Sequence, residues 1–226
     1  MTFTGFPLEA TAFYEGLVAD NSKSYWQANK RVYDESVRAP MLALVGELGD
    51  PANGGYGPFH VFRPYQDVRF AKGRPPYKTQ IGAVSESEGG ASHYVRFSAD
   101  GMLAGAGYYG MAPDQLDRFR RAVDDDRTGA EIAGLVADAV AAGLRAGAID
   151  ELKTAPRGYP KDHPRIELLR RKGLMLSKEW RHARWMHTRA VVGRVREVWE
   201  STSPVCDWLD RHVGPSTLPP PDADRF

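Results

Sequence analysis

Asp100-Gly101 stands between two apolar-rich runs, HYVRFS (93 to 98) and MLAGAGYY (102 to 109). Such a pair supplies the positive φ angles of a tight two-strand turn. The two runs therefore fold back on each other as antiparallel neighbours, and a βαβ crossover between them is excluded. That disposes of the most tempting motif in the chain. Gly105-Ala106-Gly107-Tyr108-Tyr109-Gly110 spells G-x-G-x-x-G, with Asp124 to Asp126 downstream, but a dinucleotide fold places this pattern at the first turn of a βαβ unit. Here the preceding strand belongs to a hairpin, two tyrosines fill the variable positions, and no second βαβ half follows. The glycines read instead as a strand that another backbone or side chain approaches closely.

On both sides of the hairpin the apolar spacing is helical. Phe13, Leu17 and Val18 form one stripe, Asn21 or Ser22 caps a second helix carrying Trp26, Tyr33 and Val37 inward, and Pro40 opens a third with Met41, Leu44, Val45 and Leu48, ended by Gly49. After Pro113, Leu116, Phe119 and Val123 make a stripe, and Thr128 with Glu131 forms a capping box ahead of Ile132, Leu135, Val136, Ala139, Val140 and Leu144. Pro164 opens a segment with Ile166 and Leu169 inward and Gly173 past its end, and two more helices are expected at about 186 to 201 and 203 to 213. Helices, then strands, then helices is an α+β order. We therefore expect a single α+β domain over residues 1 to 213, an antiparallel sheet with a central hairpin packed against N- and C-terminal helices. Its strands are expected near 59 to 63, 80 to 84, 93 to 98 and 102 to 109, and residues 214 to 226 are expected to form a flexible tail.

A chain of 226 residues buries roughly 70% of the surface its unfolded state exposes, so no disulfide or metal staple is required. The single cysteine, Cys206, excludes an intramolecular disulfide and a four-thiolate zinc site. Its PVCDWL context suits a small buried thiol better than a nucleophile. No run of about 18 apolar residues occurs, and MTFTGFPLEA lacks the basic and apolar regions of a signal peptide. A cytoplasmic protein without a membrane partner is the expectation.

A formal net charge of +1 implies no whole-molecule attraction to nucleic acid, so any electrostatic function is local. The segment FRPYQDVRFAKGRPPYKTQ (62 to 80) concentrates it, setting Arg63, Arg69, Lys72, Arg74 and Lys78 against one carboxylate, Asp67, and interleaving Tyr65, Phe70 and Tyr77. Several cations within one ligand's reach suit phosphate or carboxylate, which guanidinium groups hold bidentately. A structural ion-pair network packed by the aromatics, with Asp67 joined to Arg63 or Arg69, would give the same pattern.

Asp67-Val68-Arg69-Phe70, Lys72 and Pro76-Tyr77-Lys78-Thr79 resemble the signature of a widespread family of conserved hypothetical proteins, domain of unknown function 2461. Phe6, Trp26, Asn29 and Lys30, the glycine-rich hairpin and Gly158-Tyr159-Pro160-Lys161-Asp162-His163-Pro164 extend the resemblance over nearly the whole chain. The sequence departs from that pattern at Gln66, where an arginine commonly precedes the aspartate, and at Ala71 and Gly73, which replace polar residues. The resemblance implies a domain extent and no chemistry, because the family has no established activity.

Between Arg157 and Arg184, nine cations face Asp162, Glu167 and Glu179, with Trp180 and Trp185 in or beside the stretch, a combination common in single-strand nucleic-acid binders. His182 and His187, five apart, diverge on a helix and make no i, i+4 metal pair. His163 reads as a general base held by Asp162 or, equally, as a capping residue. No cofactor, metal set or catalytic residue is implied. The leading reading is a pocket for a phosphorylated or carboxylated small ligand, with or without turnover, formed by Arg63, Arg69, Lys72, Tyr77 and Lys78. Asp67 would orient one arginine, and His163 and Arg165 would be accessories. The alternatives are a nucleic-acid-binding module on the 157 to 184 surface and a protein-interaction domain without catalysis.

Overall fold

In a computed structural model of the protein, which describes residues 2–66, 73–86 and 90–219, the N-terminal third is helical as its stripes require. Helix α1 spans Leu8–Ala19 and α2 spans Lys23–Val32, capped by the Ser22 hydroxyl, which accepts from the Tyr25 N–H at 3.1 Å. The third helix does not start afresh at Pro40. α2 continues through a π turn, Tyr33–Arg38, into α3, Ala39–Leu48. In that wider turn the Ala39 N–H reaches back to the Asp34 carbonyl, one residue further than an α-helix allows. The extra room lies just where the Pro40 ring would otherwise press on the preceding turn. Phe13, Leu17, Trp26, Tyr33, Val37, Met41, Leu44 and Leu48 are buried, whereas Val18, expected inward, is 64% exposed.

The sheet is antiparallel, as expected, and contains six strands in the order β1-β2-β3-β4-β6-β5. They are β1 Phe59–Val61, β2 Gln80–Glu86, β3 Ser92–Ser98, β4 Gly101–Tyr108, β5 Arg145–Gly147 and β6 Leu174–Arg181. Strands β5 and β6 were not foreseen, and β6 lies inside the stretch read as a basic surface. β1 pairs with β2 through His60 opposite Val84 and Val61 opposite Ala83. The hairpin joins β3 to β4, but Asp100 does not take a positive φ; only Gly101 does, at +142°. A side chain at Gly101 would strike the Trp180 carbonyl, so the glycine serves the strand that passes beside the turn as much as the turn itself.

The residues form two compact units, each assembled from alternating stretches of chain. The first comprises Met1–Glu86, His93–Ala104 and Lys178–Trp199. Its core includes Phe6 stacked on Phe97, ring centroids 4.2 Å apart, and Phe59 stacked on Trp199 at 5.5 Å. The second comprises Ser87–Ser92, Gly105–Ser177 and Glu200–Phe226.

In the second unit α4 spans Pro113–Asp124, α5 Asp126–Ala141 and α6 Ile166–Arg170. Asp125, not Thr128, caps α5, accepting from the Arg127 and Thr128 N–H groups at 3.0 and 2.9 Å. The Thr128 hydroxyl instead donates to the Ala122 carbonyl at 2.6 Å. The two expected C-terminal helices are one, α7, Ala190–His212, with Pro204 inside it. A mid-helix proline costs about 3 kcal/mol. Burial of Val195, Val198, Trp199, Val205, Trp208 and Leu209 along this helix outweighs that cost.

The glycine-rich strand behaves as a contact device. A Cβ at Gly105 would lie 2.6 Å from the Leu176 carbonyl oxygen, and one at Gly107, whose φ is +134°, would collide with that of Leu174. Past α7, Arg118 donates to the Val213 and Pro215 carbonyls, and Asp114 accepts from the Ser216 hydroxyl and the Thr217 N–H at 2.7 and 2.8 Å. The Thr217 N–H, followed by hydrogen bonds from Ser216 and Arg118, holds the Asp114 carboxyl well below the usual carboxylate range. Residues 220–226 lie outside the described residues.

Candidate functional site

The basic segment of the first unit is closed at its base by a short antiparallel neck. The Gln66 N–H donates to the Pro76 carbonyl at 2.9 Å, the Lys78 N–H donates to that of Pro64 at 2.7 Å, and Tyr65 bridges Tyr77 between them. Asn21, one residue before the cap of α2, clamps the same point. Its Nδ2 donates to the Tyr77 carbonyl and its Oδ1 accepts from the Tyr77 N–H, both at 3.0 Å. Beneath the neck the Tyr77 ring stacks on Trp26, centroids 4.4 Å apart and planes 8° apart, and Tyr65 and Tyr33 lie against Trp26 at 5.8 and 4.8 Å. Burial pushes the Tyr33 phenol up to about 12, so it acts as a packed neutral hydroxyl.

Of the expected ligand-binding residues, Arg63, Tyr77 and Lys78 are at this neck, while Asp67, Arg69 and Lys72 lie outside the described residues. Tyr77 is 6% exposed and forms the footing on which the segment stands. Lys78 points its ammonium at Phe62, 5.4 Å from the ring centroid, a cation–π distance. Arg63 and Arg74 are exposed. Among the described residues none of Arg63, Arg74 and Lys78 has a carboxylate partner. Elsewhere in this unit Lys30, Arg31, Arg96 and Arg189 are paired with Asp34, Glu35, Glu179 and Glu47.

His163 and Arg165 belong to the second unit and are occupied there. The His163 Nδ1 accepts from the Arg165 N–H at 3.0 Å, and Nε2 faces Asp124 at 3.2 Å, so the carboxylate that holds it is Asp124 rather than Asp162. With both ring nitrogens engaged, no lone pair is left for general-base work. Arg165 caps the end of α4, its Nε donating to the Val123 carbonyl at 2.6 Å and Nη2 to that of Asp124 at 2.9 Å.

The basic stretch from Arg157 to Arg184 is divided, with residues up to Ser177 in the second unit and those from Lys178 in the first. Several of its cations are spent internally: Arg170 on Glu167 and the Leu152 carbonyl, Lys172 on Asp150. In the first unit Trp180 meets Trp185 edge-on at 5.5 Å, and Arg194 lies 4.7 Å over the Trp185 ring. His182 and His187 do not sit on a common helix. A short 3₁₀ turn, Arg184–His187, returns the chain so that their rings approach to 5.1 Å. His182 Nε2 meets the Thr11 hydroxyl at 3.1 Å and His187 Nδ1 donates to the Phe6 carbonyl at 2.7 Å. Among the described residues no three His, Cys, Asp or Glu side chains are placed to hold a metal ion. Burial pushes the Cys206 thiol up to about 12, as its apolar context implied.

A cavity of about 100 Å³ lies between the N-terminal residues 2–5 and the π turn with the start of α3, lined by Phe3, Gly5, Glu35, Pro40 and Ala43. Its one charged wall residue is a carboxylate, which disfavours an anion. The Asn21 clamp, whose partner lies 56 residues away, left no local pattern to read. Among the described residues no helix is long and apolar enough to cross a membrane.

A protein-family model, described as a conserved hypothetical protein (DUF2461), matches residues 9–208. No curated protein and no solved structure matches the chain.

Proposed function

The chain belongs to the DUF2461 family of conserved hypothetical proteins, and since that description names no chemistry we propose a function from the chain's own geometry. The segment anchored at the Tyr65–Tyr77 neck binds a small phosphorylated or carboxylated ligand. The observation that carries this reading is the set of cations around a fixed base, Arg63, Arg74 and Lys78, that meet no described carboxylate. A base tied by four hydrogen bonds and an aromatic stack supplies the preorganisation that makes charge-assisted contacts effective. Arg69 and Lys72 add two cations from the same stretch of sequence, and Asp67 is the one carboxylate available there to orient an arginine.

A ligand at one hundred times its dissociation constant stabilises a protein by about 2.7 kcal/mol, roughly 5 to 10 °C in Tm for a chain of this size. Thermal unfolding with phosphate, pyrophosphate and citrate should show a saturable rise, abolished in Arg69→Ala with the unliganded Tm retained. An unchanged rise in that variant would place the anion elsewhere. The nucleic-acid alternative on residues 157 to 184 has less support, because Arg165, Arg170 and Lys172 of that stretch are already engaged within the protein.

A further inference from the structure

β1 is the terminal strand of the sheet, paired with β2 on one side only. Its hydrogen-bonding phase fixes which backbone groups look outward. The Phe62 N–H donates to the Gly82 carbonyl at 2.9 Å, so Phe62 and Gly82 face each other as a hydrogen-bonded pair. Such pairs alternate along an antiparallel ladder, which makes His60 and Val84 the next one. The N–H and C=O groups of Phe59 and Val61 therefore point away from β2. Among the described residues they meet no partner.

An open edge is a template for another strand, and short length and flanking cations are the usual guards against the wrong one. β1 has both. It is three residues long, Arg63 follows it by two positions, and Arg74 and Lys78 lie on the returning arm of the same hairpin. Cations without described carboxylates repel a second copy of the same edge and attract a strand of opposite sign. Three residues also give a seam of roughly 10 Å, too short to bury the roughly 1,000 Å² that a specific interface between two proteins requires. A single extended peptide has no such requirement, because its main-chain bonds supply affinity and alternate side chains supply choice. Here the faces differ. Phe59 turns to the core and stacks on Trp199, whereas His60 and Phe62 are exposed. Every second side chain of an added strand would stand on the His60 and Phe62 face, where the Lys78 ammonium lies 5.4 Å from the Phe62 centroid with its charge unneutralised.

We propose that the outer edge of β1 takes up an extended acidic peptide by strand addition, its backbone bonded to Phe59 and Val61 and its carboxylates drawn to Lys78 and Arg63. This goes beyond the small-ligand reading. It shares the unanswered cations with that reading and adds a backbone requirement that no small anion meets.

Fluorescence anisotropy with the full chain tests it, using a capped, labelled peptide of alternating Glu and Val, its Gln-for-Glu counterpart, and the Glu peptide methylated on its backbone nitrogens. Pyrophosphate binding is followed in parallel by calorimetry. The Glu peptide should bind at least tenfold more tightly than either counterpart. Val61→Pro removes an outward donor and spares the ladder to β2, a position where an edge strand tolerates proline. It should weaken the Glu peptide at least tenfold and leave pyrophosphate binding and the unfolding midpoint unchanged; if the midpoint falls, the methylated peptide on the natural chain still decides. Arg63→Ala should weaken peptide and pyrophosphate together. Equal binding of the methylated peptide would overturn strand addition and leave the anion reading standing. Equal binding of the Gln peptide would overturn the acidic partner. Pyrophosphate binding without the Glu peptide would overturn this proposal alone, and failure of both would remove both readings. Dimerisation of the chain that is lost in Val61→Pro would assign the edge to a second copy instead.

Discussion

The Asn21 side chain satisfies both backbone polar groups of Tyr77, donating to its carbonyl and accepting from its N–H at 3.0 Å each. Asn21→Ala removes both bonds and should lower stability by about 1 to 3 kcal/mol in urea unfolding. It should also weaken pyrophosphate binding, because the neck loses its fixed position. A loss under about 0.5 kcal/mol, within the usual spread for surface substitutions, would show that Pro64, Gln66 and Pro76 hold the neck without it.

Arg165 makes a contrasting case. Its guanidinium ties three consecutive carbonyls at the end of α4, those of Val123, Asp124 and Asp125. Arg165→Met keeps the stem and removes the donors, and should cost about 1 to 3 kcal/mol. Arg165→Lys should not restore it, since an ammonium cannot reproduce the planar fork. Anion-induced stabilisation should be the same in all three proteins. A selective loss of that stabilisation in Arg165→Met would return this arginine to the ligand.

Two glycines should respond in opposite directions to alanine. Gly107→Ala drives a methyl into the Leu174 carbonyl from a left-handed backbone, and should cost about 3 kcal/mol or more. Gly134, exposed within α5 with open space beside it, should gain up to about 1 kcal/mol on becoming alanine. Thermal unfolding of the two variants checks both signs. Equal effects would mean that the G-x-G-x-x-G pattern is not held by contact with β6.

Acid should expose the Glu47–Arg189 pair. Hydrogen bonds from Arg189, then that from the Phe3 N–H, hold the Glu47 carboxyl below its ordinary value. The folded state therefore favours the ionised form. This contribution is present in full above the ordinary glutamate value of about 4.3 and is lost as pH falls through the depressed folded value. The Tm difference between the natural protein and Glu47→Gln should be largest near neutrality and shrink below about pH 4. A difference independent of pH would assign the effect to packing.

The hairpin and the N-terminal helices were legible because each rests on residues near one another in sequence. Ser22, the Asp100-Gly101 turn and the stripes of Trp26, Tyr33 and Met41 are local signals. Pro204 misled because its local penalty is visible and the burial that offsets it is not. β6 was missed because LMLSKEWR carries its polar residues on the same strand that presses its backbone on Gly105 and Gly107. The basic segment was legible as a charge pattern, but the footing on which it stands was not. Asn21, Trp26 and Tyr77 meet across more than fifty residues, and only tertiary contact reveals that Tyr77 is packed beneath the segment. His163 drew notice through its neighbour Asp162, while its actual partner, Asp124, lies 39 positions upstream.

The π turn between Tyr33 and Arg38 amounts to a one-residue insertion retained inside a helix. One residue corresponds to about 100° of rotation, so everything after it is dialled round relative to everything before. Met41, Leu44 and Leu48 thus owe their bearing to a count of residues rather than to their own identity. A single deletion in that turn would leave helix propensity intact and swing the whole α3 stripe off its target. Substitutions there should be tolerated far more readily than any change in length.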